Sequence, residues 1–253
     1  MISCIFTCKS RLPLTKMILM RFLDMMDYPF ELILSYHGSD VDYVKELSGI
    51  YPFDYVSMKS TRGSAYNNAL DHTTGDYIFH MENDWWWIDK GCIGAAIYGI
   101  DTYDDIDMIR LLSYPYHVPS QVSRTLYMWP VIEMGSEAYG WHHNPSLRKE
   151  KFPLGRVPEG AVTSYEGVMN KRWQNSNMGS WMFIDNFFQH VGMFDRGYRP
   201  EQGIRSVSVD RVEELYDVPY YGSTINDLGF SKEFKDMFDE YLQIGWNKWK
   251  SQG

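Results

Sequence analysis

The chain has 253 residues, with 24 Lys and Arg against 33 Asp and Glu, a formal charge of 24 − 33 = −9. That length is ample for one domain with a buried core, and 44% hydrophobic against 23% charged residues argues against a disordered chain. The acidic balance disfavours a broad phosphate-neutralising surface of the kind that grips nucleic acid, which needs an excess of Lys and Arg; a small anionic ligand needs only a few local cations.

Along the first hundred residues, short apolar runs alternate with helical patterns, the rhythm of strand-helix-strand units around a largely parallel sheet. Residues 2–7 read as the first strand. After a turn over 9–13, Leu14, Met17, Ile18, Phe22 and Met25 recur at helical spacing. Residues 30–36 form a second strand closed by the turn residues Gly38, Ser39 and Asp40, followed by a short helix over 41–48 and a third strand over 55–59. A helix over 63–71 comes next. Gly75 and Asp76 then turn the chain into a strand over 77–81 that ends in Glu82, Asn83 and Asp84. Ligands of open α/β sheets gather at the carboxyl ends of the strands, so three polar clusters share that edge.

From about Asp101 the pattern changes to Tyr- and Trp-rich irregular segments broken by Pro115, Pro119, Pro130, Pro145, Pro153 and Pro158. Such a half lays substrate-specific loops over a scaffold. Ser231 caps a last helix reaching about Lys250, with Phe234, Met237, Phe238, Tyr241 and Leu242 on one stripe. The expected organisation is one domain in which a first half over 1–100 meets a second over 101–230, closed by a helix over 231–253.

Cys4, Cys8 and Cys92 cannot all pair and form no C-x-x-C spacing, which points to a reduced interior. The N-terminus lacks the basic flank and long apolar stretch of a secretion signal, and no window approaches the roughly 20 apolar residues of a membrane span. The expectation is a soluble, cytoplasmic protein without a transmembrane segment, with peripheral membrane association left open.

Glu82 and Asp84 place two carboxylates one residue apart at the end of an apolar strand. Hard cations such as Mg²⁺ or Mn²⁺ take oxygen ligands and bridge carboxylates to phosphates. Asp40/Asp42 and Asp105/Asp107 share the spacing without that strand context, and a solvated acidic turn is the alternative reading. Aromatic residues reach 16%, with nine Trp and nineteen Tyr, enough to line a cleft for ring-shaped ligands. Trp85 and Trp141 are the candidates for lining it.

The strand ending in Thr7, the turn Tyr36-His37-Gly38-Ser39-Asp40, the stretch RGSAYNNAL and then TTGDYIFHMEND follow in an order that resembles glycosyltransferases of the GT-A fold, the family-two type in particular. Those enzymes carry an acidic DxD motif at the end of a strand. Asn67 stands where an Arg is common, Ala69-Leu70 replaces the usual Gly, and Glu82 holds the first acidic position. The resemblance runs to about residue 90. It implies an α/β fold with a mostly parallel central sheet flanked by helices, a nucleotide diphosphate sugar donor linked to UDP or GDP, and a glycan acceptor. It also implies that Glu82 and Asp84 hold Mn²⁺ or Mg²⁺ under the donor diphosphate, with Thr7 and His37 near base and ribose. Asn68 and Asn83 would support the donor pocket. Lys9, Arg11, Lys59 and Arg62 stand on loops near the same edge, where they can meet phosphate or base.

Downstream, His143 and Asn144 open a basic run through Arg148 to Phe152 that precedes Ser164-Tyr165-Glu166. Family-two enzymes similarly place a basic R-x-x-F stretch before an acidic residue that opens a helix and serves as catalytic base. An inverting transfer needs such a carboxylate to take the proton of the acceptor hydroxyl. Glu166 matches that position; Glu150, Glu159 and Asp185 are its rivals, and a helix-opening Glu stabilised by the macrodipole is the structural alternative. The segment Phe187-Phe188-Gln189-His190-Val191-Gly192 looks like the FQHVG segment of the branching N-acetylglucosaminyltransferases and implies His190 as a third metal ligand. Trp85, Trp141, His143 and Asn144 are expected at the acceptor. The halves then read as nucleotide-sugar-binding and as acceptor-binding and catalytic. The rivals are a non-catalytic glycan-binding module on the same fold and a sugar-phosphate nucleotidyltransferase, whose Gly-rich loop after the first strand has no counterpart in Cys8-Lys9-Ser10-Arg11-Leu12-Pro13.

Overall fold

The computed structural model describes residues 1–9, 12–111, 119–134, 145–149, 156–159, 165–184 and 187–190. The chain divides into two compact units, Met1–Gln189 and His190–Gly253. Of the second unit only the backbone of His190 falls within the described residues, and the helix expected over 231–250 lies outside them.

In the first unit, strand β1 (Ile2–Cys8) is buried at every position, which suits an unbroken run of apolar and small residues in a parallel strand covered on both faces. Helix α1 (Leu12–Met25) starts earlier than the apolar spacing predicts, because Pro13 sits in its first turn, where a missing N–H costs nothing. Strand β2 (Phe30–Tyr36) and helix α2 (Val41–Ser48) have the expected bounds, and the Asp40 carboxylate caps α2 by accepting from the Tyr43 N–H at 3.1 Å. Strand β3 (Tyr55–Met58) leads to α3 (Arg62–Leu70), capped by Thr61, whose hydroxyl accepts from the Ser64 N–H at 3.2 Å. Then come β4 (Tyr77–Glu82), β5 (Trp85–Trp87) and α4 (Cys92–Thr102).

Beyond Asp101 the structure departs from the irregular half that the pattern suggests. Strands β6 (Met108–Arg110), β7 (Pro119–Leu126), β8 (Trp129–Met134), β9 (Ser146–Lys149) and β10 (Ser180–Phe183) join the same sheet, with α5 (Tyr165–Gln174) preceding β10. The order across the nine strands is β3-β2-β1-β4-β9-β6-β10-β8-β7, and only β9 and β8 run against the others. These later strands escape a periodicity reading because several are three or four residues long, and β9 buries Ser146 and Arg148, which hydropathy scores as surface. Strand β11 (Phe188–His190) forms a separate two-stranded sheet with β5. Among the described residues no helix is long and apolar enough to cross a membrane.

Side chains alternate across the sheet and build two cores. On one face Ile5, Ile33 and Ile78 pack with Tyr66 and Ala69 of α3 and with Met169 and Trp173 of α5. On the other, Phe22 of α1 stacks on Phe79 at 6.2 Å, and Trp87 and Phe188 close the same cluster. The segment 156–159 is tied to α3 by a reciprocal pair. The Asn67 amide donates to the Val157 carbonyl at 2.8 Å while its oxygen accepts from the Val157 N–H at 3.0 Å. A Cβ at Gly63 would stand 2.4 Å from the Pro158 carbonyl oxygen, so glycine is what lets the segment lie this close.

Replacing Asn67 by Ala leaves both Val157 backbone groups buried without their partners. The expected cost is about 1–3 kcal/mol, read as a lower urea midpoint; an unchanged midpoint would show that the clamp carries no stability.

Candidate functional site

Because β2, β1 and β4 are parallel neighbours, their carboxyl ends emerge side by side, and the register sets Thr7 directly opposite Glu82. The chain leaves this edge as Cys8-Lys9, as Tyr36-His37 and as Glu82-Asn83-Asp84. Strand alternation sends His80 and Glu82 to the α3 face and Asn83 to the α1 face. Thr7 is buried, and its hydroxyl shares a hydrogen bond of 3.1 Å with Nε2 of His80. The His80 ring meets Tyr66 edge to face with centroids 5.0 Å apart, and the Tyr66 hydroxyl accepts from Arg148 Nη2 at 2.5 Å. Arg62, the first residue of α3, forms an ion pair with Glu82. The positive end of that helix therefore faces the same edge as its guanidinium.

Cations dominate the electrostatics here although the chain as a whole is acidic. The His37 imidazole is pushed down to about 4, first by burial and then by Arg62 and Lys9. Burial, reinforced by Arg62 and Arg148, drives His80 well below the ordinary histidine range. Both rings are neutral at pH 7, and both report a positive potential from Lys9, Arg62 and Arg148. Set against these are the carboxylates of Glu82 and of Asp84, the latter only 8% exposed in the turn between β4 and β5. An edge that concentrates positive charge around two oxygen-donor carboxylates can hold a polyphosphate and a hard cation together.

Of the residues singled out in the sequence, Thr7, Lys9, His37, Arg62, Glu82 and Asp84 gather at this edge. Asn83 follows Glu82 but turns inward, its amide donating to the Thr15 hydroxyl at 2.7 Å, while its N–H donates to the Thr7 carbonyl at 3.0 Å. Asn68 sits further along α3, and its amide oxygen accepts from the hydroxyl of Tyr55, the first residue of β3, at 3.1 Å. By register Tyr55 stands level with Ile33, Ile5 and His80, two residues short of the Thr7–Glu82 edge. Trp85 is buried at 4% exposure in β5. Arg11, Trp141, His143 and Asn144 lie outside the described residues, as do the side chains of Glu166, in the first turn of α5, and of His190, at the end of β11. Among the described residues no three His, Cys, Asp or Glu side chains cluster as a metal cage.

Sequence reading passes over His80 and Tyr66 and takes Arg148 only as part of a basic run; the three form the buried layer behind Thr7. Their one visible signal is His80, a basic residue inside the apolar strand β4. No cysteine offers a nucleophile: all three are buried and free, and burial pushes the Cys8 thiol up to about 12.

No protein-family model matches the chain, and no curated protein does. Solved structures do match. Residues 1–349 of TarS from S. aureus superpose with a TM-score of 0.54 at 11% identity, covering 85% of this chain and 68% of that one. In complex with UDP-GlcNAc the same protein matches at 0.52 and 12% identity, covering 96% and 80%. The mannosyltransferase PcManGT from Pyrobaculum calidifontis, in complex with GDP-Man and Mn²⁺, matches at 0.50 and 14% identity, covering 99% and 73%. The fold is GT-A. In this GT-A sheet the edge that carries Glu82 and Asp84 is formed by three parallel strands, β2, β1 and β4. A longer TarS chain is covered over only 48% of its length.

His37 provides a test of the local field. Its folded-state pKa lies below the ordinary 6.5, so on acidification the unfolded chain takes up the proton first. The stability it contributes is complete above about pH 6.5 and is lost as pH falls toward 4. In the His37→Gln variant that part of the decline should vanish from unfolding curves. Arg62→Gln should move the His37 titration, followed by NMR, upward; an unmoved titration would show that Arg62 does not set the potential there.

Proposed function

We propose that the protein is a metal-dependent, inverting glycosyltransferase that moves a sugar from a nucleotide diphosphate donor to a hydroxyl of a glycan acceptor. The observation that carries this reading is the position of Glu82 and Asp84 at the carboxyl end of β4 in a GT-A sheet, with Arg62 and Lys9 beside them. TarS bound to UDP-GlcNAc and PcManGT bound to GDP-Man and Mn²⁺ support the donor class. The three buried free thiols fit a reducing, cytoplasmic setting.

Carboxylate oxygens are the donors that Mn²⁺ or Mg²⁺ prefers, so Glu82 and Asp84 would hold the ion, with His190 as a further ligand. Bound there, the cation supplies Lewis-acid neutralisation of the diphosphate as the sugar departs. Lys9, Arg11 and Arg62 bind the diphosphate. Neutral His37 presents a hydrogen-bonding ring nitrogen to the ribose or base, and Thr7, steadied by His80, lines the base pocket. Asn68 and Asn83 act from behind, bracing α3 through Tyr55 and the β4–β5 turn through Thr15. Glu166 takes the proton of the acceptor hydroxyl as it attacks the anomeric carbon, while Trp141, His143 and Asn144 border the acceptor; Trp85, buried in β5, has no ring face free to stack on it. Residues 1–100 thus serve the donor and 101–230 the acceptor and the chemistry.

Calorimetric titration of UDP and GDP with and without Mn²⁺ tests the donor reading. Metal-dependent nucleotide binding, lost in Asp84→Asn, is expected; glycan binding without nucleotide would make the chain a sugar-binding module instead. Glu166→Gln should keep donor affinity and lower transfer by about 10²–10⁴-fold. Wild-type transfer in that variant would remove Glu166 from the base role.

A further inference from the structure

Arg62 has two uses that exclude one another. Its guanidinium is ion-paired through Nη2 with Oε1 of Glu82, and the same side chain binds the diphosphate in the donor reading, on which this inference rests. We propose that Arg62 exchanges between these two anions, masking the Glu82 carboxylate until a diphosphate draws the guanidinium away, so that the nucleotide itself uncovers the metal ligand. A carboxylate held by a guanidinium already has its charge offset, and a divalent ion brought to the same group is repelled by the Arg62 cation. A diphosphate changes that balance, because the planar guanidinium fork matches phosphate as well as carboxylate. Metal and nucleotide therefore help each other through one side chain: the metal competes with Arg62 for Glu82, and the diphosphate offers Arg62 a second anion.

The surroundings let the side chain move while its backbone stays. Thr61 caps α3, and its hydroxyl also donates to the Glu159 carbonyl at 2.8 Å, while Gly63 lies close against the Pro158 carbonyl. The start of the helix is thus pinned on both sides of Arg62, and exchange needs only a rotation of the long side chain. The pair itself is open to water, with the Arg62 side chain 30% and the Glu82 side chain 18% exposed, and ion pairs at such positions are weak enough to be competed away. Arg148 is the contrast: it is 6% exposed and donates to the Tyr66 hydroxyl, which fixes it behind the edge. Arg62 also stands where both anions are within its reach. Its charge lowers the proton affinity of His37 after β2 and of His80 in β4, so the guanidinium lies between the exits of those strands, where the diphosphate is read to bind.

Two affinities read the exchange, and loss of Arg62 should move them in opposite directions. Mn²⁺ binding without nucleotide is followed by the EPR signal of the free ion, and UDP and GDP binding at saturating Mn²⁺ by calorimetry. In Arg62→Gln and Arg62→Met, Mn²⁺ alone should bind about fivefold more tightly, while the nucleotide that the wild type binds should be held about tenfold or more weakly. Both variants replace a part-exposed side chain at a helix start, so the fold is expected to survive. Arg62→Lys, which keeps the charge, should return both affinities toward the wild type. Lys9→Gln controls for the general field: it removes a charge of the same edge that is not paired with Glu82 among the described residues, and should leave the affinity for Mn²⁺ alone near that of the wild type. Three results would overturn the exchange and leave the donor reading standing, provided the wild type shows metal-dependent nucleotide binding: unchanged or weaker binding of Mn²⁺ alone in the neutral variants, an equal gain in Lys9→Gln, or unchanged nucleotide affinity. A wild type that binds neither Mn²⁺ nor nucleotide would remove the donor reading and the exchange with it.

Discussion

Burial of β1 on both faces, between β2 and β4, is the constraint on which the rest of the molecule depends. An all-buried parallel strand has only one way to satisfy its backbone, through ladders on both sides, and those ladders set Thr7 level with Glu82. Once that register is set, the three chain exits at the carboxyl edge have fixed neighbours. The strand period of two then decides which side chains reach the site and which brace it from beneath: Glu82 meets Arg62 of α3, and the next residue, Asn83, reaches Thr15 of α1.

The site is a local inversion of the global charge. A chain of net charge −9 gathers Lys9, Arg62 and Arg148 around two histidines whose burial, reinforced by those cations, holds both rings neutral. The buried layer has a separate task. Arg148 reaches Tyr66, Tyr66 meets His80 edge to face, and His80 holds the Thr7 hydroxyl, so one edge residue is oriented by a chain of contacts extending into β9. Rigid support of this sort lets a short side chain present one orientation to a ligand.

The two ends of the strands differ for a physical reason. At the carboxyl end, parallel strands turn into helices, so helix N-termini and loop cations collect there. At the far end of β6 and β10 the chain arrives from α4 and α5, and close packing of Gly179 on Asp105 leaves a small walled cavity lined by amides and carboxylates. The same sheet thus offers an electropositive rim at one end and, at the other, a pocket walled by Asp105, Glu133, Gln174 and Asn177.

How much of this was legible in the sequence can be traced residue by residue. Strands and helices through Met81 follow from hydrophobic period and turn residues, since β2 and α2 have strong local patterns and Gly38, Ser39 and Asp40 mark the turn between them. The strand-end position of Glu82 and Asp84 was legible for the same reason. The later strands were not, because three or four residues carry no measurable period and β9 hides Arg148 inside. Nor could spacing reveal that Arg62 pairs with Glu82, that Asn67 clamps Val157, or that Asn68 faces Tyr55. Those are contacts between residues up to 90 positions apart. Sequence by itself determined which segments become strands and where polar groups leave them, because those choices rest on local pattern. Only the tertiary structure decided which of those groups meet, because partners distant along the chain are chosen by register and packing.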